Sequence, residues 1–309
     1  MARKRRRKRK KSWPLAIVEF AGAYAAICII RVTPMAVGRF VAHRAGDAFY
    51  LLWGRRRRIA QRNVQTAFPE ITDQREIRRI AHRACRSMFL TGLWMLKLRR
   101  VFHSDMPKHA LEAICPGFSE KLRRIQQLYR EVGGFVFVTG HLGNWENLIH
   151  IADTAGIPLV VVARPLDNPL LHKLIYDMRL SSNQHFVGKR NVFFQLKNAI
   201  RRGKCVAVLG DQRAGKRGVM APFFGKPAST HPTPALLAYH FNRPIVVLAA
   251  CRTKTGFDGL MSEPIWPKLD APEEDEILRL TTTVNETLAE FIRKHPDQYL
   301  WAHDRWRDV

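Results

Sequence analysis

A histidine and a glutamate lie five positions apart in the segment Thr139-Gly-His-Leu-Gly-Asn-Trp-Glu146. A neutral imidazole can take a proton from a hydroxyl group, and a carboxylate on its other nitrogen fixes the tautomer and stabilises the cation that forms. We therefore predict that His141 is a general base and that Glu146 orients it. No serine or cysteine nucleophile is evident beside this histidine. Direct base catalysis on an acceptor hydroxyl is thus more economical than a covalent intermediate.

The spacing of this pair is weakly specific by itself, because His172–Asp177 and His303–Asp308 share it. With twelve histidines in the chain, about one such match is expected by chance. The setting of His141 is what distinguishes it. A run of strand-forming residues, 135–139, precedes it, and Gly143-Asn144 suits a turn in which Asn144 caps the following helix. In α/β proteins, sites lie at such strand-to-helix turns.

The elements that must position this pair follow from the hydrophobic pattern. Short, continuous apolar runs alternate with amphipathic helical stretches after about residue 120. This alternation predicts an α/β fold with a largely parallel sheet covered by helices on both faces. The predicted strands are 135–139, 157–163, 185–187, 205–209 and 244–251, and the predicted helices of this part are 122–129, 168–180, 192–202, 233–241 and 273–294.

The N-terminal part has a different character. Residues 3–11 are all basic, and Trp13–Ile30 is apolar except for Glu19. We predict a basic cytoplasmic tail at 1–12, a membrane-anchoring helix at 13–31, a helical region at 32–120 and the α/β catalytic part at 121–309, the last two forming one domain. A cleavable signal peptide and a basic nucleic-acid tail are the alternatives. No aromatic-basic motif of a nucleic-acid fold follows, so we expect no nucleic-acid partner.

Composition narrows the class of protein further. The net charge of +26 in 309 residues favours an acidic partner, and nucleic acid, anionic membrane lipid and an acidic protein are the three candidates. The five cysteines are far apart with no C-x-x-C pair, which argues against a disulfide framework or a zinc site. The sequence contains no metal-ligand cluster and no Gly-rich nucleotide loop. We therefore expect no metal and no cofactor beyond a donor substrate.

Several stretches, in order along the chain, give these residues a family context. His141-Leu-Gly-Asn-Trp-Glu146 resembles the His-x4-Asp/Glu motif of the bacterial lipid A biosynthesis acyltransferases, the lauroyl and myristoyl transferases, within the lysophospholipid and glycerol-phosphate acyltransferases. The resemblance runs from about residue 15 through most of the chain. The stretches that carry it, besides the histidine motif, are Arg58-Ile-Ala-Gln-Arg-Asn-Val, Phe68-Pro69, Val162-Ala-Arg164, Gly210-Asp-Gln212, Pro222-Phe-Phe-Gly225 and Tyr299-Leu-Trp-Ala-His-Asp-Arg-Trp306. Asp304 departs from the family pattern, in which a basic residue is usual there.

The resemblance implies an O-acyltransferase of the inner membrane, single-pass or monotopic, with its catalytic domain in the cytoplasm. The donor would be an acyl thioester on acyl carrier protein or coenzyme A, and the acceptor a hydroxyl of a lipid A precursor. Acylation of another glycolipid, as by phosphatidylinositol mannoside acyltransferases, or of a lysophospholipid is the alternative. A non-catalytic, membrane-tethered basic protein that binds anionic lipid or nucleic acid is a third reading.

Further residues are candidates for substrate binding. We expect Arg164 to stabilise the oxyanion or to bind a phosphate, with the backbone amides near Gly143 as competing oxyanion donors. Asp211 ends a strand, and we expect it either to pair with Arg164 or Arg213 and shape the acceptor site, or to be structural. The Phe223-Phe224 turn lines an acyl channel or packs into the core. Asn144 completes the set of predicted substrate-binding residues.

Overall fold

The structure is a computed structural model that describes residues 13–102, 112–162, 166–179, 184–188 and 191–307. Helices dominate its first hundred residues. The second and fourth of these helices pack against each other along their length. Asp73 caps the fourth helix, accepting a hydrogen bond from the backbone N of Arg75 at 2.8 Å. The four helices are α1 (Trp13–Val32), α2 (Met35–Leu52), α3 (Gly54–Ala67) and α4 (Gln74–Phe102).

A six-stranded sheet forms the centre of the remaining chain. Its strand order is β3-β2-β4-β1-β7-β8, and all neighbours are parallel except the antiparallel edge strand β8. The strands are β1 (Val136–Thr139), β2 (Leu159–Val162), β3 (Gln184–Val187), β4 (Cys205–Leu209), β7 (Ile245–Arg252) and β8 (Phe257–Met261). The helices around it are α5 (Phe118–Val132), α6 (Leu148–Thr154), α7 (Pro169–Arg179), α8 (Val192–Arg201), α9 (Thr233–Phe241) and α10 (Glu273–Lys294).

Strand β1 shows why its sequence is apolar throughout. Val136 and Val138 belong to one hydrophobic core, whereas Phe135 and Phe137 belong to another. Successive side chains of a strand point to opposite faces, so the sheet has a helix-covered core on each side. The predicted α/β class and the largely parallel sheet are confirmed.

Two features of the sheet region were not predicted from the sequence. The strand β8 was missed, and so was a two-stranded antiparallel hairpin of β5 (Val219–Phe223) and β6 (Lys226–Thr230). Phe224 and Gly225 form the loop of this hairpin with φ of 54° and 70°. Positive φ at both positions of a two-residue loop is the geometry whose twist matches that of paired strands.

Candidate active site

The pairing of β1 with β4 brings His141 next to Asp211. The two strands are parallel neighbours, and Thr139 is paired with Leu209 at their last residues. His141 and Asp211 each lie two positions beyond those residues, at the carboxyl edge of the sheet. Residues 70 positions apart in sequence are therefore adjacent at the edge where α/β sheets carry their sites.

Asp211 accepts two hydrogen bonds from His141. Its Oδ1 lies 2.8 Å from the ring Nδ1, and its Oδ2 accepts a 2.8 Å hydrogen bond from the backbone N. The orienting hydrogen bond at Nδ1 therefore comes from Asp211, and the orienting role predicted for Glu146 is corrected. The Asp211 carboxylate contacts His141, and its predicted pairing with Arg164 or Arg213 remains a prediction. Glu146 lies close enough to act on the imidazole by its charge.

The charges around His141 favour its protonated form. Burial by itself lowers the pKa of this imidazole, but the charge and hydrogen bond of Asp211 and the charge of Glu146 together raise the pKa above its usual value. Burial alone would raise the pKa of the Asp211 carboxyl, yet its interactions with His141 and the charge of Arg305 lower the pKa below the usual value. The pair is thus a carboxylate beside a histidine whose basicity is increased, as a general base requires.

Two residues of the C-terminal segment, Tyr299 and Arg305, stabilise the Asp211 carboxylate. The Tyr299 hydroxyl forms a hydrogen bond with the Asp211 carboxylate, and both side chains are only 2% exposed. Arg305 is also buried, and its guanidinium donates to the Ser229 carbonyl and to Thr230 Oγ1, both at 2.6 Å. A buried carboxylate without partners would be costly. Tyr299 and the nearby positive charge of Arg305 offset that cost, and neither residue was predicted as part of the site.

The other ring nitrogen of His141 faces the cavity side of the site. Gln212 Nε2 lies 3.3 Å from His141 Nε2, and the indole ring of Trp145 lies 5.1 Å from the imidazole ring, centroid to centroid. Gln212 directly follows Asp211 in the Gly-Asp-Gln stretch, which was the sequence signal that could have identified it. Nε2 is therefore the ring nitrogen that a substrate hydroxyl could reach, and the hydroxyl would there displace the Gln212 amide.

Gly143 and Asn144 form the tight turn that joins His141 to the helix. The backbone N of Gly143 donates to the Gln298 carbonyl at 3.0 Å, and that of Asn144 donates to the Ala250 carbonyl at 2.7 Å. Gly143 has a φ of +59°, and a Cβ there would lie 2.2 Å from the Ala250 oxygen, so glycine is required. Since both amides are used within the protein, they are not oxyanion donors in this geometry.

The side chain of Asn144 points away from the site. It is fully buried, and its Oδ1 accepts a hydrogen bond from the Arg252 guanidinium. Arg252 also donates to Thr91 Oγ1 at 3.0 Å and to Ser87 Oγ, and burial lowers the pKa of this guanidinium to about 10. The prediction that Asn144 caps the helix with its side chain, and its prediction as a substrate-binding residue, are therefore corrected. Asn144 links the catalytic turn to β7 and α4.

Phe223 and Phe224 lie in the hydrophobic core and not in a channel. They are 0% and 8% exposed. Phe224 packs edge-on against Phe68, and Phe223 lies 5.6 Å from Trp306, centroid to centroid. The guanidinium of Arg305 lies over the Phe223 ring at 5.1 Å. Of the two alternatives predicted for these residues, an acyl channel or core packing, the structure shows core packing.

Of the two arginines predicted to bind substrate, the structure describes Arg213 but not Arg164. Arg164 lies outside the described residues, so its predicted role remains a prediction. Arg213 lies at the carboxyl edge beside Asp211, where its backbone N donates to His303 Nε2 at 3.2 Å and its side-chain Nε donates to the Arg307 carbonyl at 3.1 Å. Burial lowers the pKa of His303, which agrees with a neutral ring that accepts at Nε2.

An apolar cavity of about 340 Å³ opens beside His141. It lies on the α5 and α6 face of the sheet. The polar groups among the described residues that line it are Thr139, His141, Glu146 and the indole of Trp145. The volume is within the range of about 300–1,000 Å³ typical of small-molecule sites. The apolar lining residues include Leu122, Phe137, Ile151, Ala152, Val161 and Ala207.

A second, smaller apolar cavity of about 80 Å³ lies next to the first. The two share the lining residues Leu122, Ile125, Leu148, Ile151 and Leu248. These side chains therefore separate the two spaces. Within the part of the chain that the structure describes, no group of three or more His, Cys, Asp and Glu residues is arranged to hold a metal ion.

An imidazole with an orienting carboxylate at the end of a parallel sheet, next to an apolar cavity, defines an α/β enzyme site for an apolar substrate. Comparison with known sequences identifies the family. The sequence model described as bacterial lipid A biosynthesis acyltransferase matches residues 5–308. The chain belongs to this family, and the resemblance found from its motifs is confirmed.

Individual relatives are distant but cover much of the chain. The chain is 26% identical over 263 residues to the lipid A biosynthesis lauroyltransferase of Escherichia coli K12, covering 82% of this chain and 79% of the relative. It is 26% identical over 283 residues to a lipid A biosynthesis acyltransferase of Haemophilus influenzae, covering 89% and 85%. A third relative, the lipid A biosynthesis palmitoleoyltransferase of E. coli K12, is 26% identical over 153 residues, 48% of each chain.

Proposed function

We propose that this protein transfers a fatty acyl chain from an acyl thioester to a hydroxyl of a lipid A precursor, with His141 as the general base. Family membership supports acyl transfer in lipid A biosynthesis. The observation that carries the mechanism is the hydrogen-bonded His141–Asp211 pair at the edge of the apolar cavity. The cavity would hold the acyl chain, and the imidazole would meet the acceptor.

The chemical step needs one proton acceptor and one leaving thiol. His141 Nε2 takes the proton of the acceptor hydroxyl as its oxygen bonds to the thioester carbonyl carbon. Asp211 stabilises the imidazolium that forms at Nδ1. The tetrahedral intermediate then breaks its carbon–sulfur bond, and the imidazolium returns the proton to the departing thiolate. The products are an ester and a free thiol, and His141 is neutral again.

The oxyanion of the intermediate requires a hydrogen-bond donor. The side-chain amide of Gln212, 3.3 Å from His141 Nε2, is proposed as one donor, and Arg164 is retained as a proposed second donor or phosphate ligand. Glu146 lines the cavity and raises the pKa of His141 by its charge. We assign it the role of increasing the basicity of His141 and of contacting the acceptor.

The charge of the protein is consistent with both substrates. A net charge of +26 attracts an acidic carrier protein or the phosphates of coenzyme A, as well as the phosphates of a lipid acceptor. Arg213 at the rim is proposed to bind one of these anionic groups. The proposed location is the cytoplasmic side of the inner membrane, where acyl thioesters and the membrane-bound acceptor meet.

The catalytic assignment is tested by measuring acyl transfer in membranes containing the wild type, His141→Ala or Asp211→Ala. General-base catalysis contributes about 10²–10⁴-fold, so each variant should lose activity by roughly that factor. His172→Ala is the matched control, because His172 has the same spacing to Asp177 but lies on α7. Retained activity in His141→Ala would overturn the mechanism.

The acceptor is tested separately by mass spectrometry of lipids from a deletion strain of the source organism. A lipid A species that lacks one acyl chain, restored by the wild type but not by His141→Ala, is the expected result. A missing chain on a different glycolipid or on a phospholipid would support the alternative acceptor. If the deletion strain has unchanged lipids but has lost a binding activity toward anionic lipid or nucleic acid, the result would support the non-catalytic alternative.

A further inference from the structure

Helix α1 is hydrogen-bonded to the catalytic domain near both of its ends. Close to its N-terminus, Asn168 Nδ2 donates to the Ala16 carbonyl at 2.9 Å and to Glu19 Oε2 at 3.0 Å. At its C-terminus, Lys97 Nζ donates to the Arg31 carbonyl at 3.4 Å and to that of Thr33. Asn168 directly precedes α7, and Lys97 lies on α4. Both ends of α1 therefore contact the folded domain, hereafter the body.

One side of α1 faces that body along the whole helix. The less exposed positions are 16, 19, 20, 23, 27, 30 and 31, which recur at the spacing of a single helix face. Ala16 and Ile27 are buried, and α1 packs on both α4 and α7. The opposite side is apolar and exposed, with Val18 at 68% and Val32 at 77%.

Helix α2 extends this exposed apolar surface. Its outward side chains recur at helical spacing, and Phe40 is 64% exposed. Asp47 fixes the helix to α4 through His82 at 2.6 Å and through Arg86. A Cβ on Gly46 would lie 2.5 Å from the Arg86 Cα, so the two helices are in close contact. The outward large apolar residues of this region are Val37, Phe40, Val41, Leu51, Leu52 and Trp53.

The length and composition of α1 are compatible with a membrane span. Among the described helices, α1 is long and apolar enough to cross a bilayer. However, Glu19 and Thr33 are 14 residues apart, which is about 21 Å along a helix, while the hydrocarbon core is about 30 Å thick. If α1 crossed the bilayer, its hydrogen bonds to Asn168 and Lys97 would place these two residues within the hydrocarbon core. The parts of the folded domain that surround them would be buried there as well. That body has charged surfaces, and burying them there is costly.

The distribution of charge gives an independent argument. A single crossing would put residues 1–12 and the catalytic domain on opposite sides of the membrane. Nine basic residues lie at 3–11, and Arg55–Arg58 follow α2 directly. Basic segments near membrane helices stay on the cytoplasmic side. Both segments satisfy this rule only if α1 does not cross.

We propose that α1 and α2 lie in the plane of one leaflet and bind an anionic bilayer with their shared apolar face. Trp53 and the arginines beside it sit at the headgroup level, where amphipathic rings and cationic side chains are favoured. The protein is then monotopic, with its N-terminal tail and its catalytic domain on the same side. Glu19 faces Asn168 in the body and not the hydrocarbon.

The two sides of the membrane distinguish this topology from a span. Single cysteines are introduced as Ala2→Cys and Glu290→Cys in a full-length Cys28→Ser, Cys115→Ser background, since Cys85, Cys205 and Cys251 are buried. A membrane-impermeant maleimide is applied to inverted inner-membrane vesicles and to intact spheroplasts. We expect both sites to react in the inverted vesicles and neither in spheroplasts. Reaction of the two sites from opposite sides would overturn the proposal.

Depth measurements test the same proposal without reference to sidedness. Val18, Ala25 and Val32 are exposed and seven residues apart on one face of α1. Each is replaced by cysteine in the same background, labelled with a polarity-sensitive fluorophore and quenched by shallow or deep nitroxide lipids in vesicles containing phosphatidylglycerol. An in-plane helix gives the same shallow depth at all three sites. A depth that is greatest at position 25 would contradict the proposal. A fluorophore on Phe40→Cys should lie at the same depth as those on the three α1 sites, and a fluorophore on Glu290→Cys should not be quenched.

Discussion

Asp211 binds His141 with both carboxylate oxygens, at 2.8 Å to the ring Nδ1 and 2.8 Å to the backbone N. The carboxylate therefore fixes both the orientation of the imidazole and the position of the chain that carries it. It is itself buried and held by the Tyr299 hydroxyl. This arrangement places the basicity of His141 under the control of residues that do not touch a substrate.

Replacement of Asp211 by asparagine should change both the rate and its pH dependence. The amide keeps the shape of the side chain but removes the negative charge, so the pKa of His141 falls. Since the base must be neutral to act, the acidic limb of the kcat/KM profile should move to lower pH. The maximal rate should fall by about 10²-fold or more, because the imidazolium is less stabilised.

The pH profile separates this role from a purely structural one. A misfolded variant would lose activity at every pH without a shift of the limb. The Asp211→Asn profile is therefore compared with the wild type over the acidic range, with circular dichroism as the check of folding. An unshifted limb would show that Asp211 does not set the pKa of His141.

Replacement of Tyr299 by phenylalanine should have the opposite effect on the pH profile. The variant removes a hydrogen bond to Asp211, so the carboxylate concentrates more negative charge on His141 and the pKa of the imidazole rises. The acidic limb should move to higher pH. A fall in kcat of about tenfold is expected, near the usual contribution of one hydrogen bond. A shift to lower pH would contradict the proposed chain of contacts.

Enlarging Ala152 should shorten the acyl chain that the enzyme accepts. Ala152 lies on α6 and lines the cavity beside His141. The series Ala152→Val, Ala152→Leu and Ala152→Phe removes progressively more volume. Donors of increasing chain length are compared by kcat/KM in each variant. The preferred length should decrease along the series, and equal preferences in all variants would show that this cavity does not hold the acyl chain.

Gly46 and Gly92 offer a matched pair for the packing of α2 on α4. A Cβ on Gly46 meets the backbone of Arg86, whereas one on Gly92 has no atom within 4 Å. Gly46→Ala should therefore lower the free energy of unfolding by about 1–3 kcal/mol. Gly92→Ala should leave it unchanged or raise it by up to about 1 kcal/mol, because alanine is the better helix former. Denaturant unfolding in detergent measures both, and equal effects would refute the close contact.

The fold was largely predictable because its strands and helices have strong local patterns. The strand at Cys205–Leu209 and the helices at Thr233–Phe241 and Glu273–Lys294 were predicted with the bounds that the structure has. The β5–β6 hairpin was missed because Pro222 and the two phenylalanines resemble a loop motif. Its identity depends on positive φ at Phe224, which a non-glycine residue rarely adopts.

The place of His141 at a strand-to-helix turn was predictable, but the partner of its ring Nδ1 was not. Glu146 is close to His141 in sequence, and short spacings are what a single sequence displays. Asp211 becomes the partner because β4 inserts between β2 and β1 in the sheet, a pairing that depends on the whole topology. Asn144 was misassigned for a similar reason, since its partner Arg252 is 108 residues away. Arg252 lies at the end of β7, and the sequence alone does not show which strands pair with β7.

The hydrogen bonds of residues 298–303 have a consequence for the timing of synthesis. Tyr299 holds Asp211, Leu300 N donates to the His141 carbonyl at 3.1 Å, and Gln298 O accepts from Gly143 N. Because synthesis proceeds from the N-terminus, the central strands emerge from the ribosome long before these contacts can form. On the proposed in-plane topology, a nascent chain can therefore reach the membrane through α1 and α2 while the contacts around His141 and Asp211 are still incomplete. Translation that stops shortly before Gln298 would yield a membrane-bound protein without an assembled base.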